Sequence, residues 1–335
     1  VYKRQAQTLT QQARYEACAV ASREILDIAD ELDDDALRVF GHFELGFSLM
    51  WMSDLAASDK HFREASALHN SERDAWLRDV FGAAPGPEVL AWHSLNTWIL
   101  GYPDQALTLT EAGVEQARRL HHPFTLCHTL AVSSGVHGLR QEYLDALAAA
   151  DELEAISSRE HYPFWSAYAL VHRGVAHGHL NDPGAGIRLV SDGLERLRVM
   201  GVDGLRAWFY GALAVLEHRV GHADRSEGLI DRAVHIAQTT GESLTEASLA
   251  VQRGTMRREA GDARAEETLE SAIEMTGSIG ARGLELRAAT EFASLLTEQG
   301  QFSEARSVLT PRYEWFTEGH DTGDLIVARE LLESM

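Results

Sequence analysis

Apolar and polar positions along this chain recur with the period of an α-helix. Ala, Leu, Glu and Arg dominate, and alternating runs of β-branched residues are missing, so no strand is predicted. The pattern predicts helix pairs near 37–52 and 55–70, 88–100 and 104–120, 124–140 and 142–157, and 164–180 and 184–200. Further pairs fall near 204–220 and 223–239, 243–260 and 263–278, and 283–299 and 302–316. A last amphipathic helix over 322–334 carries Leu325, Ala328, Leu331 and Leu332 on one face and is expected to cap the stack. Residues 1–34 read as only the second helix of a pair, around Arg14 to Leu32, as if the chain began inside a repeat. The two glycines and two prolines of Phe81-Gly82-Ala83-Ala84-Pro85-Gly86-Pro87 predict a loop.

Small residues keep a register with these helices. Turn positions fall at Ala13, Ser53, Gly101, Gln141, Asn181, Gly221, Gly261 and Gly300, at spacings of 40, 48, 40, 40, 40, 40 and 39. Seven residues before the turn stand Gly46, Ser94, Ser134, Gly174, Ala214, Gly254 and Ala293. Five after it stand Cys18, Ser58, Ala106, Ala146, Gly186, Ser226 and Ala305, with the repeat at Gly261 shifted by one to Ala265. Twelve after come Ala65, Gly113, Gly193 and Ala233, a rule that Leu153 breaks. Antiparallel helices joined by a short turn must approach closely, and bulky side chains at the crossing would hold them apart. The frame therefore predicts an all-α solenoid: a partial repeat over 1–34, seven helix pairs over 35–320 and a capping helix over 321–335.

This frame, with turns such as Gly101-Tyr102-Pro103-Asp104-Gln105-Ala106 and Gly300-Gln301-Phe302-Ser303-Glu304-Ala305, resembles the tetratricopeptide repeat. The resemblance implies a right-handed superhelix, here with a period of about 40 instead of about 34. The stretch Tyr313-Glu314-Trp315-Phe316-Thr317-Glu318-Gly319-His320-Asp321-Thr322-Gly323-Asp324-Leu325, followed by Ala328 and Leu331-Leu332, is similar to the C-terminal region of bacterial proteins that join a class III adenylate/guanylate cyclase, an AAA-like signalling ATPase and such repeats. That likeness implies a sensor or regulatory region whose partners include the upstream ATPase and cyclase domains. The chain itself carries no phosphate-binding loop of the G-x-x-x-x-G-K-[ST] type and no cyclase aspartate motif.

Composition narrows the partners. The formal net charge of −21 sets 51 acidic against 30 basic residues, which disfavours nucleic acid and anionic membranes. No apolar run is long enough to span a bilayer, no signal peptide opens the chain, and Cys18 and Cys127 read as buried free thiols, which together predict a cytoplasmic protein. His172, His177 and His179 share a helix without the spacing of helical metal ligands; no G-x-S-x-G elbow is present, and no cofactor or enzymatic activity is predicted.

Function is expected on the concave surface, which the first helices of the pairs line. Counting groove positions back from the turn gives Phe40, Phe43, Phe47, Met50 and Trp51 in the first full repeat, an apolar patch predicted to dock an upstream domain. Later repeats give Trp98, His128, Tyr168, His179, Trp208, His218, Arg219 and Arg258 as a ligand groove, with Arg287 last. The expected function is a non-catalytic scaffold binding a protein, a peptide or a small effector, with aromatic anchors and with Arg219 and Arg258 meeting carboxylate or phosphate. A free-standing adaptor bridging two proteins is the alternative.

Overall fold

The computed structural model describes residues 2–68, 70, 84–180 and 182–335. Among them are seventeen helices and no strand. The first pairs are α1 (Tyr2–Gln11) with α2 (Tyr15–Leu32), α3 (Asp35–Trp51) with α4 (Leu55–Ala67), α5 (Pro85–Ile99) with α6 (Pro103–Arg119), and α7 (Pro123–Leu139) with α8 (Tyr143–Arg159). They are followed by α9 (Pro163–His179) with α10 (Pro183–Val199), α11 (Arg206–Arg219) with α12 (Ala223–Thr240), α13 (Ser243–Glu259) with α14 (Ala265–Ser278), and α15 (Arg282–Glu298) with α16 (Phe302–Tyr313). The last helix, α17 (Gly323–Ser334), packs on α15 and α16 through Leu325 and Ala328. The whole is a right-handed superhelix of antiparallel pairs. No helix among the described residues is long and apolar enough to cross a membrane. Cys18 and Cys127 are both buried and unpaired, and burial pushes the Cys127 thiol up to about 12.

Two sequence expectations are corrected. Residues 1–34 are not a lone second helix, because α1 packs on α2 and completes a pair with a short first member. Pro85-Gly86-Pro87 is the first turn of α5 instead of loop. Proline is tolerated there because the first backbone N–H groups of a helix have no partner inside it. Phe81, Gly82, Ala83 and the turn residue Asn181 lie outside the described residues.

The small-residue frame has a direct structural reading: the position seven before the turn meets the position five after it. Ser58 Oγ donates to the Gly46 carbonyl at 2.7 Å and Ser226 Oγ to the Ala214 carbonyl at 2.8 Å. In the fourth pair the roles reverse, and Ser134 Oγ donates to the Ala146 carbonyl at 2.8 Å. In the fifth pair both positions are glycine, and a Cβ on Gly186 would lie 2.6 Å from the Gly174 oxygen. The turns themselves use left-handed backbone, at Ser53, Gly101, Gln141, Gly221, Gly261 and Gly300. The turns between pairs do the same at Asp33, His121, His161, Gly201, Gly241, Gly280 and Gly319, so the structural repeat is a half-unit of about twenty residues.

The superhelix also closes on itself, which the sequence did not lead us to expect. One apolar cluster runs from Trp51, Trp92 and Trp98 into Leu284, Phe292 and Leu325, joining the second and third pairs to the last two. Glu318 accepts from the backbone N–H groups of Asp104 and Gln105 at the start of α6, and Asp104 accepts from Gly319 N. Asp324 accepts from Gln141 Nε2 at 2.7 Å and from Arg287 Nε at 2.8 Å, while Arg287 also donates to the Leu139 carbonyl. Arg287 lies over the Trp98 ring at 4.7 Å. The segment 313–325 is therefore a clasp, and the concave surface faces inward instead of forming an open trough.

Candidate ligand chambers

Closure leaves two adjoining cavities inside the superhelix, of about 340 and about 590 Å³, with Gly135, Leu139, His172, Trp208 and Phe209 in the walls of both. They are lined mainly by the odd-numbered helices, whose Cα–Cβ vectors on one face converge on the axis.

The smaller chamber is aromatic. Its rings follow one another, Trp51 to Trp92 at 6.3 Å and Trp92 to His128 at 5.9 Å edge to face, His128 to Trp165 at 5.2 Å tilted, and Trp165 to Tyr168 at 5.7 Å edge to face. Trp208 joins the wall 5.9 Å from Trp51. Among the described residues no Lys or Arg lines this chamber, and the carboxylates in its walls are those of the buried Glu44 and Glu88. Trp92 Nε1 donates to His128 Nε2 at 2.7 Å, which places the ring's proton on Nδ1, 3.2 Å from Glu88 Oε1. The indole N–H groups of Trp51 and Trp165 are buried without an acceptor among the described residues.

The larger chamber carries both signs of charge, Arg219 and Arg287 with Glu259, Glu291 and Asp324. Arg219 is exposed, donates from Nη1 to His179 Nδ1 at 3.1 Å, and pairs with no carboxylate among the described residues. His179 stacks on Tyr143 at 4.2 Å and 7°. Burial, with Arg219 and Arg287 close by, holds its imidazole down at about 4. His218 Nε2 faces Glu259 Oε2 at 3.0 Å.

Of the expected groove residues, His128 and Tyr168 line the smaller chamber, His179, His218 and Arg219 the larger, and Trp208 both. Trp98 faces the clasp, outside both walls. Arg258 lines neither, and two carboxylates already pair with it: Glu291 takes its Nε at 2.7 Å and Glu298 its Nη1 at 2.7 Å. The expected docking patch divides. Phe43, Phe47 and Trp51 line the aromatic chamber, Phe40 packs against α1 and α2, and Met50 is in the core; all five are buried by the chain itself. Residues that sequence reasoning missed include Glu44, Glu88, Trp92, Trp165 and His172. A carboxylate inside an apolar run, as Glu44 is between Phe43 and Leu45, was the available signal.

Buried neutral histidines in the chamber walls give a pH dependence with a definite sign. Burial holds His172 and His179 at about 4 in the folded chain, against about 6.5 unfolded. A depressed histidine contributes stability above its unfolded pKa and loses it as pH falls toward the folded value. The unfolding free energy from urea titration is expected to be flat above pH 7 and to fall between pH 6.5 and 4, by about 2 kcal/mol per histidine at pH 5. His172→Gln should remove part of that slope. An unaltered slope would show that His172 is not the group responsible.

The sequence matches no protein-family model and no curated protein sequence. Solved structures do resemble the fold. A Rap protein complexed with Competence and Sporulation Factor superposes over all of this chain and 98% of its own, at 10% identity and a TM-score of 0.63. The Rap conjugation gene regulator of plasmid pLS20, in complex with the Phr* peptide, covers 91% of this chain and 77% of its own, at 7% identity and 0.64. NprR in complex with its cognate peptide NprX covers 88% and 84%, at 13% identity and 0.55. This is a tetratricopeptide-like repeat fold. At such low identity the likeness is one of architecture.

Proposed function

We propose that this chain is a non-catalytic scaffold that binds a short peptide inside its superhelix. The observation that carries the reading is Arg219, a guanidinium without a carboxylate partner, at the rim of a cavity that continues into an aromatic chamber. A free C-terminal carboxylate or an acidic side chain is the natural partner of that fork, and apolar side chains suit the rings beyond it. The Phr* peptide and the cognate peptide NprX, bound in two of the similar structures, support a peptide as the ligand. Because the walls come from both ends of the chain, a ligand that fits one curvature better than another shifts the population of clasped and open forms.

The test is a binding screen of short synthetic peptides with free or amidated C-termini against the full chain. Peptides ending in a free carboxylate are expected to bind, and Arg219→Ala to weaken them at least ~10-fold. Equal binding of the amidated peptides and an unchanged affinity in Arg219→Ala would remove Arg219 from the site. The likeness of residues 313–325 to the C-terminal region of cyclase–ATPase signalling proteins supports a finer reading, in which this scaffold is the sensor of a larger signalling ATPase. A Walker-type phosphate loop encoded upstream of Val1 is the expected result, and a start codon at Val1 would oppose it.

A further inference from the structure

The smaller chamber has an electrostatic character of its own. Among the described residues its walls carry the buried carboxylate of Glu88 and no Lys or Arg. Glu44 accepts from Thr10 Oγ1 at 3.1 Å and lies 3.8 Å from the Cys18 thiol. Glu88 faces His128 alone, and that ring's Nε2 is occupied by the Trp92 N–H, so no cation among the described residues balances Glu88. The other imidazole of the wall, His172, is held at about 4 by burial and adds no positive charge near neutral pH. The indoles of Trp51, Trp92, Trp165 and Trp208 line the same chamber as Glu88, and indole rings carry a negative quadrupole that attracts positive charge. A buried carboxylate without a counter-charge is costly, and a cation that brings its own apolar surface relieves the cost while filling the aromatic walls.

We propose that this chamber is a binding site for a small organic cation, a quaternary or alkylated ammonium, held between Glu88 and the indoles of Trp51, Trp92 and Trp165. A cavity of about 340 Å³ is of the size that holds a small molecule. An inorganic cation is disfavoured, since aromatic rings replace its hydration shell poorly, and an anion is repelled by Glu88. The site goes beyond the peptide reading and uses different residues, because Arg219 lies in the other chamber's wall.

The experiment is calorimetric and tryptophan-fluorescence titration of the full chain with choline and with its neutral isostere 3,3-dimethylbutan-1-ol. Choline is expected to bind and to perturb the indole emission, and the isostere to bind at least ~10-fold more weakly, because only the charge differs. Glu88→Gln, nearly isosteric, should weaken choline at least ~5-fold while leaving the isostere and the far-ultraviolet circular dichroism unchanged. Trp165→Phe, which keeps a ring but a weaker one, should weaken choline less than Glu88→Gln does. Arg219→Ala should leave choline affinity alone, which separates this site from the peptide anchor. No choline binding up to tens of millimolar, equal affinity for the isostere, or full affinity in Glu88→Gln would each overturn the proposal. Loss of choline binding in Arg219→Ala would move the cation out of this chamber and overturn the assignment as well.

Discussion

Gly186→Val is expected to be among the most damaging single substitutions in the repeat array. Gly186 sits where α10 crosses α9, and any Cβ there would stand 2.6 Å from the Gly174 oxygen and 2.9 Å from the Gly178 Cα. Both neighbours are backbone, so no rotamer change relieves the clash, and the two helices must separate. Overpacking of side chains costs about 1–3 kcal/mol. Here the whole α9–α10 crossing shifts, and we expect at least ~3 kcal/mol from that principle's upper range. Buried Val190 and Leu194 on α10 would lose contact with α9 together. The measurement is chemical denaturation with hydrogen exchange resolved to α9 and α10. Gly184→Ala is the control, because the nearest atoms to its Cβ are polar side-chain tips at 3.7 and 3.8 Å, and alanine in a helix should be neutral or mildly stabilising. Similar midpoints for the two variants would disprove the close-crossing account.

The second large effect is expected at the clasp. Arg287→Ala removes a side chain that pairs with Asp324, donates to the Leu139 carbonyl and covers Trp98. Asp324 is only 13% exposed, and among the described residues Gln141 is the side-chain donor that would remain to it. Breaking a fully buried ion pair from one side costs about 3–5 kcal/mol, and partial exposure lowers the expectation to ~2 kcal/mol. The larger consequence is geometric. With the ring's seam loosened, solution scattering should show a greater radius of gyration, and the amides of α17 should exchange faster than those of α9. Asp324→Asn should give a milder version of both. An unchanged radius and unchanged α17 protection would mean that the apolar seam alone holds the ends together.

The helix pairs were legible in the sequence because their cause is local. A tight antiparallel turn needs a left-handed residue and small side chains at fixed offsets from it, and Gly101, Gly174 and Gly254 advertise both. The half-repeat was hidden because several of its left-handed turns are filled by Asp33, His121 and His161, which adopt that backbone without advertising it as glycine does. The site was legible only in part. Counting back from the turn placed Phe43, Phe47, Trp51, His128, Tyr168 and Trp208 on chamber walls. The same count misplaced Arg258, since the sequence does not show that Glu291 and Glu298 of the neighbouring pair reach it first. Trp92 was missed for another reason. Every residue of α5 except Leu90 is buried, so the helix has no polar face from which to read its orientation.

What the sequence by itself determined is the unit and its stacking: paired helices, a period near forty residues and small residues at each crossing. These depend on contacts between residues about twelve apart, as Ser58 with Gly46 and Ser226 with Ala214. What only the tertiary structure decided is that the superhelix comes round until Glu318 caps α6 and Asp324 meets Gln141, across separations of about two hundred residues. Curvature accumulates from small rotations at every pair, and no single repeat records the sum. That sum turns an open surface into two chambers, and it decides which charges stay paired and which face a ligand.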